Sequence, residues 1–211
     1  MKINRTWIIL GIIVLIVIIG YSSCKSTYNN LVTKDQDIKG KWAQVESQYQ
    51  RRTDLYNSVI EVIKGSASFE QNTLVEVINA RAKATQVTVD ASKLTPESIA
   101  AFQAAQTQMS GAFGRLMVVA ERYPDLKTTQ QFADFQTQIE GTENRINKSR
   151  DDFNLSVQDF NTTIKRFPTM FYAGMLGFTE KGYFKSNPGT ENPPDINFNT
   201  DPKPETGSTQ K

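Results

Sequence analysis

The stretch FADFQTQIEGTENRINKSRDDFNLSVQDFNTTIKRFP, from Phe132 to Pro168, decides the fold. Phe132, Phe135, Ile139, Thr142, Ile146, Ser149, Phe153, Val157, Phe160, Ile164 and Phe167 follow one another at steps of three or four residues. After Gly141 neither glycine nor proline interrupts them until Pro168. That spacing keeps one face of a helix apolar over many turns, so the stretch reads as one long helix with a seam for neighbouring helices.

Working outward, three more helical patterns precede it. From Tyr28 to Lys64 one seam carries Leu31, Ile38, Trp42, Val45, Tyr49, Arg52, Tyr56, Val59 and Ile63, with Gly65 as an expected C-terminal cap. Ser68 with Gln71 suggests a capping box for a second helix through Leu74, Val77, Ile78, Arg81 and Ala84, fading near Val89. Glu70 there complements the helix dipole. Thr95-Pro96 predicts a third start, with Ile99, Phe102, Gln106, Met109, Phe113, Leu116, Ala120 and Tyr123 following before Pro124 stops it. Strand signals are absent, so the reading is all-α: an antiparallel up-and-down four-helix bundle with long helices. The segment Met170 to Phe184, rich in Phe, Tyr, Met and Gly, is expected to fold back onto a bundle end. From Ser186 to Lys211 the composition is polar and Pro-containing, which reads as a disordered tail.

Ahead of the bundle, after a short flank at 1–5, residues 6–24 carry no charge, and Ile8 to Ile19 are apolar apart from Gly11. At about 1.5 Å per residue these nineteen residues span roughly 28 Å, enough for a bilayer core. Trp7 and Tyr21 stand at its two ends, where interfacial aromatics concentrate. A retained transmembrane anchor is the preferred reading. A cleaved signal peptide and a lipoprotein signal ending at Cys24 are its rivals. Ser22 and Ser23 fit the latter and would make Cys24 a lipidation site, whereas Tyr21 stands where an aliphatic residue is expected. Lys2 and Arg5 before the segment outweigh Lys25 and Lys34, which are diluted by Asp35 and Asp37, so charge favours a cytoplasmic N-terminus and a bundle outside the cytoplasm.

The 211 residues hold 24 basic and 22 acidic side chains, a net charge of +2, one cysteine and no histidine. The balanced charge argues against nucleic acid. Lack of histidine removes the usual general base and the usual Zn and Fe ligand. No phosphate loop, Cys/His cluster or paired-carboxylate motif is present, so neither catalytic residues nor metal or other cofactors are expected.

Several motifs resemble the LemA family. They are Tyr28-Asn29-Asn30-Leu31-Val32, Trp42-Ala43-Gln44-Val45-Glu46, Gln50-Arg51-Arg52-Thr53-Asp54-Leu55, Lys64-Gly65 with Glu70, and Ala80-Arg81-Ala82-Lys83-Ala84. Thr142-Glu143-Asn144-Arg145-Ile146, Arg150, Asn154, Phe160-Asn161, Phe167-Pro168, Gly177-Phe178 and Tyr183-Phe184 continue the likeness, which spans about residues 5–185. The resemblance implies a short membrane segment followed by a four-helix bundle at 28–185 in a bacterial cell envelope, without established enzymatic activity. It also implies an N-terminus outside the cell, against the charge count. Leu55-Tyr56-Asn57-Ser58 departs from the family's usual proline-containing stretch, so a less kinked first helix is expected.

Arg52 and Arg81 lie on their seams, and Glu143 lies on the edge of the fourth ladder, four residues after Ile139 and three before Ile146. Arg52 lies thirteen residues before Gly65, Arg81 thirteen after Ser68, and Glu143 fifteen after Thr128. All three reckonings start from one end of the bundle and reach a common level near 20 Å at about 1.5 Å per residue. Ser110 and Gly111 reach that level from Tyr123. A buried Arg52–Arg81–Glu143 layer that fixes helix register is the expectation, a polar binding site in the bundle is the alternative, and simple surface exposure of these residues is a third reading. Asn147, Asn154 and Asn161 recur every seven residues and are expected to hydrogen-bond along a helix interface. The functional expectation is a non-enzymatic, membrane-anchored scaffold or adaptor for another envelope protein. Its contact surface would be the projecting helices and the aromatics around Phe171, Tyr172 and Phe178. The alternative is a module binding a small ligand or lipid in the bundle interior.

Overall fold

The structure, a computed structural model, describes residues 5–64, 70–123 and 129–185. It contains helices α1 (Arg5–Lys64), α2 (Gln71–Gln86), α3 (Pro96–Ala120) and α4 (Gln130–Lys165), then a short 3₁₀ turn at Thr169–Phe171. No strand occurs among the described residues. The expected caps at Gly65 and Ser68, the stop at Pro124 and the tail from Ser186 lie outside them.

α1 is one helix of 60 residues, with no break between the apolar segment and the bundle. Nothing between Tyr21 and Asn30 is glycine or proline, so the backbone has no reason to stop there. Trp7 through Tyr21 present their apolar side chains outward, and this is the span long and apolar enough to cross a membrane. Beyond Cys24, forty residues carry α1 about 60 Å further.

The seam from Leu31 to Ile63 is buried. α3 opens as its sequence predicts: Thr95 caps it, its hydroxyl accepting from the Ser98 N–H at 3.2 Å, and Pro96 occupies the first turn. α4 begins at Gln130, with Thr129 as cap accepting from the Phe132 N–H at 3.3 Å. α4 runs antiparallel to α1, since Lys34 pairs with Asp159 near one end and Arg52 with Glu143 further along. α2 ends at Gln86, and its buried face is Val77, Ala80 and Ala84.

The apolar interior is two cores rather than one. The first joins Leu31 through Tyr49 to Phe102 and to Phe153, Val157 and Phe160. The second joins Tyr56 through Ile63 to α2, to Met109 through Ala120 and to Phe132. Because α2 is short, it fills the fourth position of the bundle only in the second core. In the first, that position is taken by Val87, Val89 and Leu94, together with the chain's described end.

This C-terminal segment does more than cap a bundle end. After turns at 166–178 it runs back, extended, from Thr179 to Lys185, and places Phe184 among Trp42, Phe102 and Phe153. An extended strap has no internal partners for its N–H and C=O groups. A side-chain amide offers N–H donors and a carbonyl acceptor, matching both. Asn161 donates to the Lys181 carbonyl and accepts from its N–H, both at 2.9 Å. Asn154 treats Phe184 the same way, at 3.0 and 2.9 Å. Seven helical residues rise about 10.5 Å and three extended ones about 10 Å, so the two periods match. The asparagines therefore serve the strap rather than a helix–helix interface, and Asn147 is exposed. Gly182 lies where the strap crosses the start of α3. Its N–H donates to the Leu94 carbonyl at 2.9 Å, and a Cβ there would stand 2.7 Å from Pro96 Cα and 2.8 Å from the Thr95 carbonyl oxygen.

Lys181, itself buried, ties the strap to α1 through Asp35, Nζ to Oδ1 at 3.0 Å, and Lys39 reaches the other Asp35 oxygen at 2.8 Å. Burial raises the Asp35 pKa, but the hydrogen bonds and charges of Lys39 and Lys181 outweigh it and hold it below the ordinary 3.8. The unfolded chain thus takes up the proton more readily. The Asp35 contribution is complete above the unfolded pKa and is lost as pH falls through the lower folded value. Wild type is expected to lose more urea stability than Asp35→Asn between about pH 4.5 and about pH 2.5. Parallel loss in both proteins would show that Asp35 does not hold the strap.

Candidate functional site at the break between the two cores

Arg52 lies where the two cores part. The seam that brings Tyr49 and Tyr56 inward brings Arg52 inward as well, one turn from each, leaving it 3% exposed. A buried guanidinium needs acceptors. Its Nη1 donates to Glu143 Oε1 at 3.2 Å, and its Nη2 to Gln106 Oε1 at 2.6 Å and to the Gln106 carbonyl at 3.4 Å. The guanidinium carbon sits 4.7 Å from the Tyr49 ring centroid and 5.8 Å from that of Tyr56. Burial pushes both phenols above their ordinary pKa, so they stay neutral beside the cation. The Arg52 Nε is buried without a partner among the described residues.

The structure brings Arg52 and Glu143 together but not Arg81. Val77, Ala80 and Ala84 form the inward face of α2, which turns Arg81 to a half-buried edge. Among the described residues its side chain bonds to neither Arg52 nor Glu143. Opposite Arg52 stands Gln106 rather than Ser110. Ser110 lies a turn along, its hydroxyl 3.4 Å from that of Tyr56, and Gly111 is exposed. Gln106 was visible as a polar residue on the α3 seam, but depth counting did not match it with Arg52. Cys24 is a free, partly covered thiol inside the continuous turn of α1.

Beside the Arg52–Glu143 pair a cavity of about 240 Å³ opens, lined by Arg52, Gln103, Gln106, Ser110, Asn147 and Arg150 among others. A second, of about 380 Å³, shares Ser110 and Glu143 with it and is otherwise walled mainly by Phe113, Met117 and Ile139. Gln103 and Arg150 on the wall of the first already donate to the Lys185 carbonyl, and Glu143 lines it as well, so the cavity has a mixed polar wall. Among the described residues no group of three or more His, Cys, Asp or Glu could hold a metal ion.

The pair is asymmetric, since the Glu143 side chain is 36% exposed and that of Arg52 only 4%. Glu143 keeps part of its hydration, and Arg52 keeps Gln106 when Glu143 is removed. Glu143→Leu is therefore expected to cost about 1–2 kcal/mol by chemical denaturation, short of the about 3–5 of a fully buried pair. Replacing Arg52 by Met in the same protein should return part of that loss. A Glu143→Leu cost below about 0.5 kcal/mol would mean that solvent already satisfies Arg52.

Comparison with known proteins places these features. The family model described as LemA family matches residues 41–198, about three quarters of the chain, taking in the second core and the first from Trp42 onward. The chain belongs to the LemA family. It is 25% identical over 207 residues to the Magnetosome protein MamQ of Magnetospirillum gryphiswaldense, covering 88% of this chain and 75% of that protein. It is also 25% identical over 187 residues to Magnetosome protein MamQ 2 of Paramagnetospirillum magneticum, covering 79% and 67%. The similarity to Protein LemA of Metamycoplasma hominis is 25% over 118 residues, 56% of this chain and 50% of that one. In this LemA-family chain, the apolar start of α1 supports membrane association.

Proposed function

We propose that this LemA-family chain is a non-enzymatic scaffold or adaptor that holds another envelope protein at a set height above the membrane. The observation that carries the reading is the unbroken α1, which runs from the apolar span through both cores to Ile63. A rod of this kind, packed along its seam, lets the distal end reach about 60 Å from the bilayer. Val75 on α2 and Val118 on α3 are exposed near that end, and a partner is expected to meet the bundle there. The Arg52–Glu143–Gln106 cluster then fixes the register of α1, α3 and α4. The charge asymmetry around the span supports a bundle outside the cytoplasm.

Photo-crosslinking residues at Val75 and Val118, in intact membranes, test the scaffold. One discrete protein adduct from the distal sites, missing from Arg145 on the outer face of α4, is expected. Equal, diffuse adducts from all three positions would remove the scaffold reading. For topology, a cysteine at Val118 in a Cys24→Ser background should react with an impermeant maleimide on intact cells. Reaction only after lysis would reverse the orientation.

The cavity walled by Arg52 and Arg150, with Glu143 also on its wall, favours a second reading, a small anionic ligand held within the bundle. Thermal-shift screening against small carboxylates and inorganic phosphate tests it. A shift abolished by Arg52→Met would support it, and no shift at millimolar ligand would remove it.

A further inference from the structure

The turns between α4 and the strap carry large apolar side chains that nothing in the fold covers. Phe167 is 79% exposed, Met170 55%, Phe171 64% and Met175 88%. They are ordered rather than loose. The Met170 N–H bonds the Arg166 carbonyl at 2.9 Å, Ala173 the Thr169 carbonyl at 2.9 Å, and Leu176 the Tyr172 carbonyl at 2.9 Å. Gly177 closes the set at φ +83°, a left-handed turn that suits glycine. The inward side of the segment is spoken for. Ala173 is buried, and the Phe178 ring packs against Phe160 and against Tyr28, the latter at 5.9 Å between centroids.

Tyr28 fixes the height of this segment. It lies four residues past Cys24, the last residue of the uncharged span, about 6 Å along the helix. Because α4 runs antiparallel to α1, its C-terminal end and the turns beyond it point toward the membrane. The exposed phenylalanines and methionines thus sit near the level at which the uncharged span ends, where the headgroups of a spanned bilayer would lie. Arg166 and Lys25 are exposed nearby, and cations beside inserted apolar side chains favour an anionic membrane surface.

We propose that Phe167, Met170, Phe171 and Met175 form a second membrane contact, a loop dipping into the interfacial layer of the leaflet that α1 leaves. Two points of attachment fix the tilt of the bundle, which a single helix would leave free to swing. The occupant is lipid, because the face lies near the end of a span that is itself in lipid. The inference needs the span but not the scaffold role.

The test uses the full chain in vesicles of phosphatidylcholine with phosphatidylglycerol, in a Cys24→Ser background. Single cysteines at Met175, Val118 or Ile13 carry an environment-sensitive NBD label, and helix content is checked by circular dichroism. Headgroup-proximal nitroxide lipids are expected to quench Met175→Cys at least about twofold more than Val118→Cys, as an interfacial segment requires. Quenching at Met175 no greater than at Val118 would overturn the proposal. So would a blue-shifted Met175 label that lipid does not quench and that reverts on dilution of protein in lipid, which would assign the face to a second copy. Ile13→Cys reports the span by itself: failure of deep quenching there would remove the anchor, whereas quenching at Ile13 without quenching at Met175 removes the loop contact alone.

Discussion

Trp42→Ala is expected to lower stability by about 3–5 kcal/mol, a large part of the roughly 5–15 kcal/mol that holds a typical domain together. Trp42 is fully buried, and its ring centroid lies 5.2 Å from that of Phe102, 5.6 Å from Phe153 and 6.0 Å from Phe184. Those rings come from α3, α4 and the strap, so one side chain of α1 is the common neighbour of every element in the first core. Truncation leaves a cavity that four elements would have to shift together to close. The Trp42 Nε1–H has no partner among the described residues, so the indole contributes through packing, not through a hydrogen bond. Trp42→Phe should consequently cost less than about 1.5 kcal/mol, since it loses volume but also removes a desolvated donor. Urea denaturation of the full chain in detergent, followed by far-UV circular dichroism, gives both values. If Trp42→Phe proved as costly as Trp42→Ala, an unseen partner for the indole N–H would be required.

The helices were legible because their seams obey a period that only a helix satisfies. Phe132, Ile146, Phe153, Val157 and Phe160 all turned inward at that spacing, and Thr95-Pro96 marked the start of α3 by a backbone requirement no tertiary contact can override. On α2 the period was ambiguous. Val77-Arg81-Ala84 and Val77-Ala80-Ala84 are equally good three-and-four ladders, and the fold took the one that buries alanine. Arg52 was legible as a cation on an otherwise apolar seam and Glu143 as a carboxylate on the edge of another, but their neighbour on α3 and the division of the interior into two cores were not. Counting depth along a helix assumes that helix ends are level. An offset of four residues, about 6 Å, exchanges Gln106 for Ser110. The strap was illegible for a different reason. Its residues carry no periodicity, and what holds them is a match between amides on α4 and backbone groups some twenty to thirty residues later. Asn154 and Asn161 showed the helical half of that match, while nothing local in Lys181-Gly182-Tyr183-Phe184 showed the other.

Asn161→Leu should therefore cost about 2–4 kcal/mol, although leucine keeps the same branched heavy-atom skeleton and is as apolar as the surrounding core. Asn161 is 3% exposed, and its two 2.9 Å bonds satisfy the N–H and the C=O of Lys181. Leucine would leave both backbone groups buried and unpaired, each at about 1–3 kcal/mol, partly relieved if the strap lifts toward water. Asn154 makes the same pair of bonds from a half-buried position, where water can substitute, so Asn154→Leu should cost roughly half as much. Exposed Asn147 should tolerate leucine within about 0.5 kcal/mol. The ordering 161, 154, 147 separates clamping from helix propensity, which would treat three mid-helix asparagines alike. Gly182→Ala reaches the same interface from the other side. Its methyl meets the backbone of Thr95 and Pro96 below 3 Å, and a backbone cannot rotate away as a side chain can. The strap must move, and a cost of about 1–3 kcal/mol is expected. In both variants Phe184 should leave the first core before the helices melt. Hydrogen exchange should then show early opening at residues 179–185 while α1 and α4 stay protected. Uniform protection along the chain in Asn161→Leu, with stability within about 0.5 kcal/mol of wild type, would mean that the two amide bonds do not hold the strap.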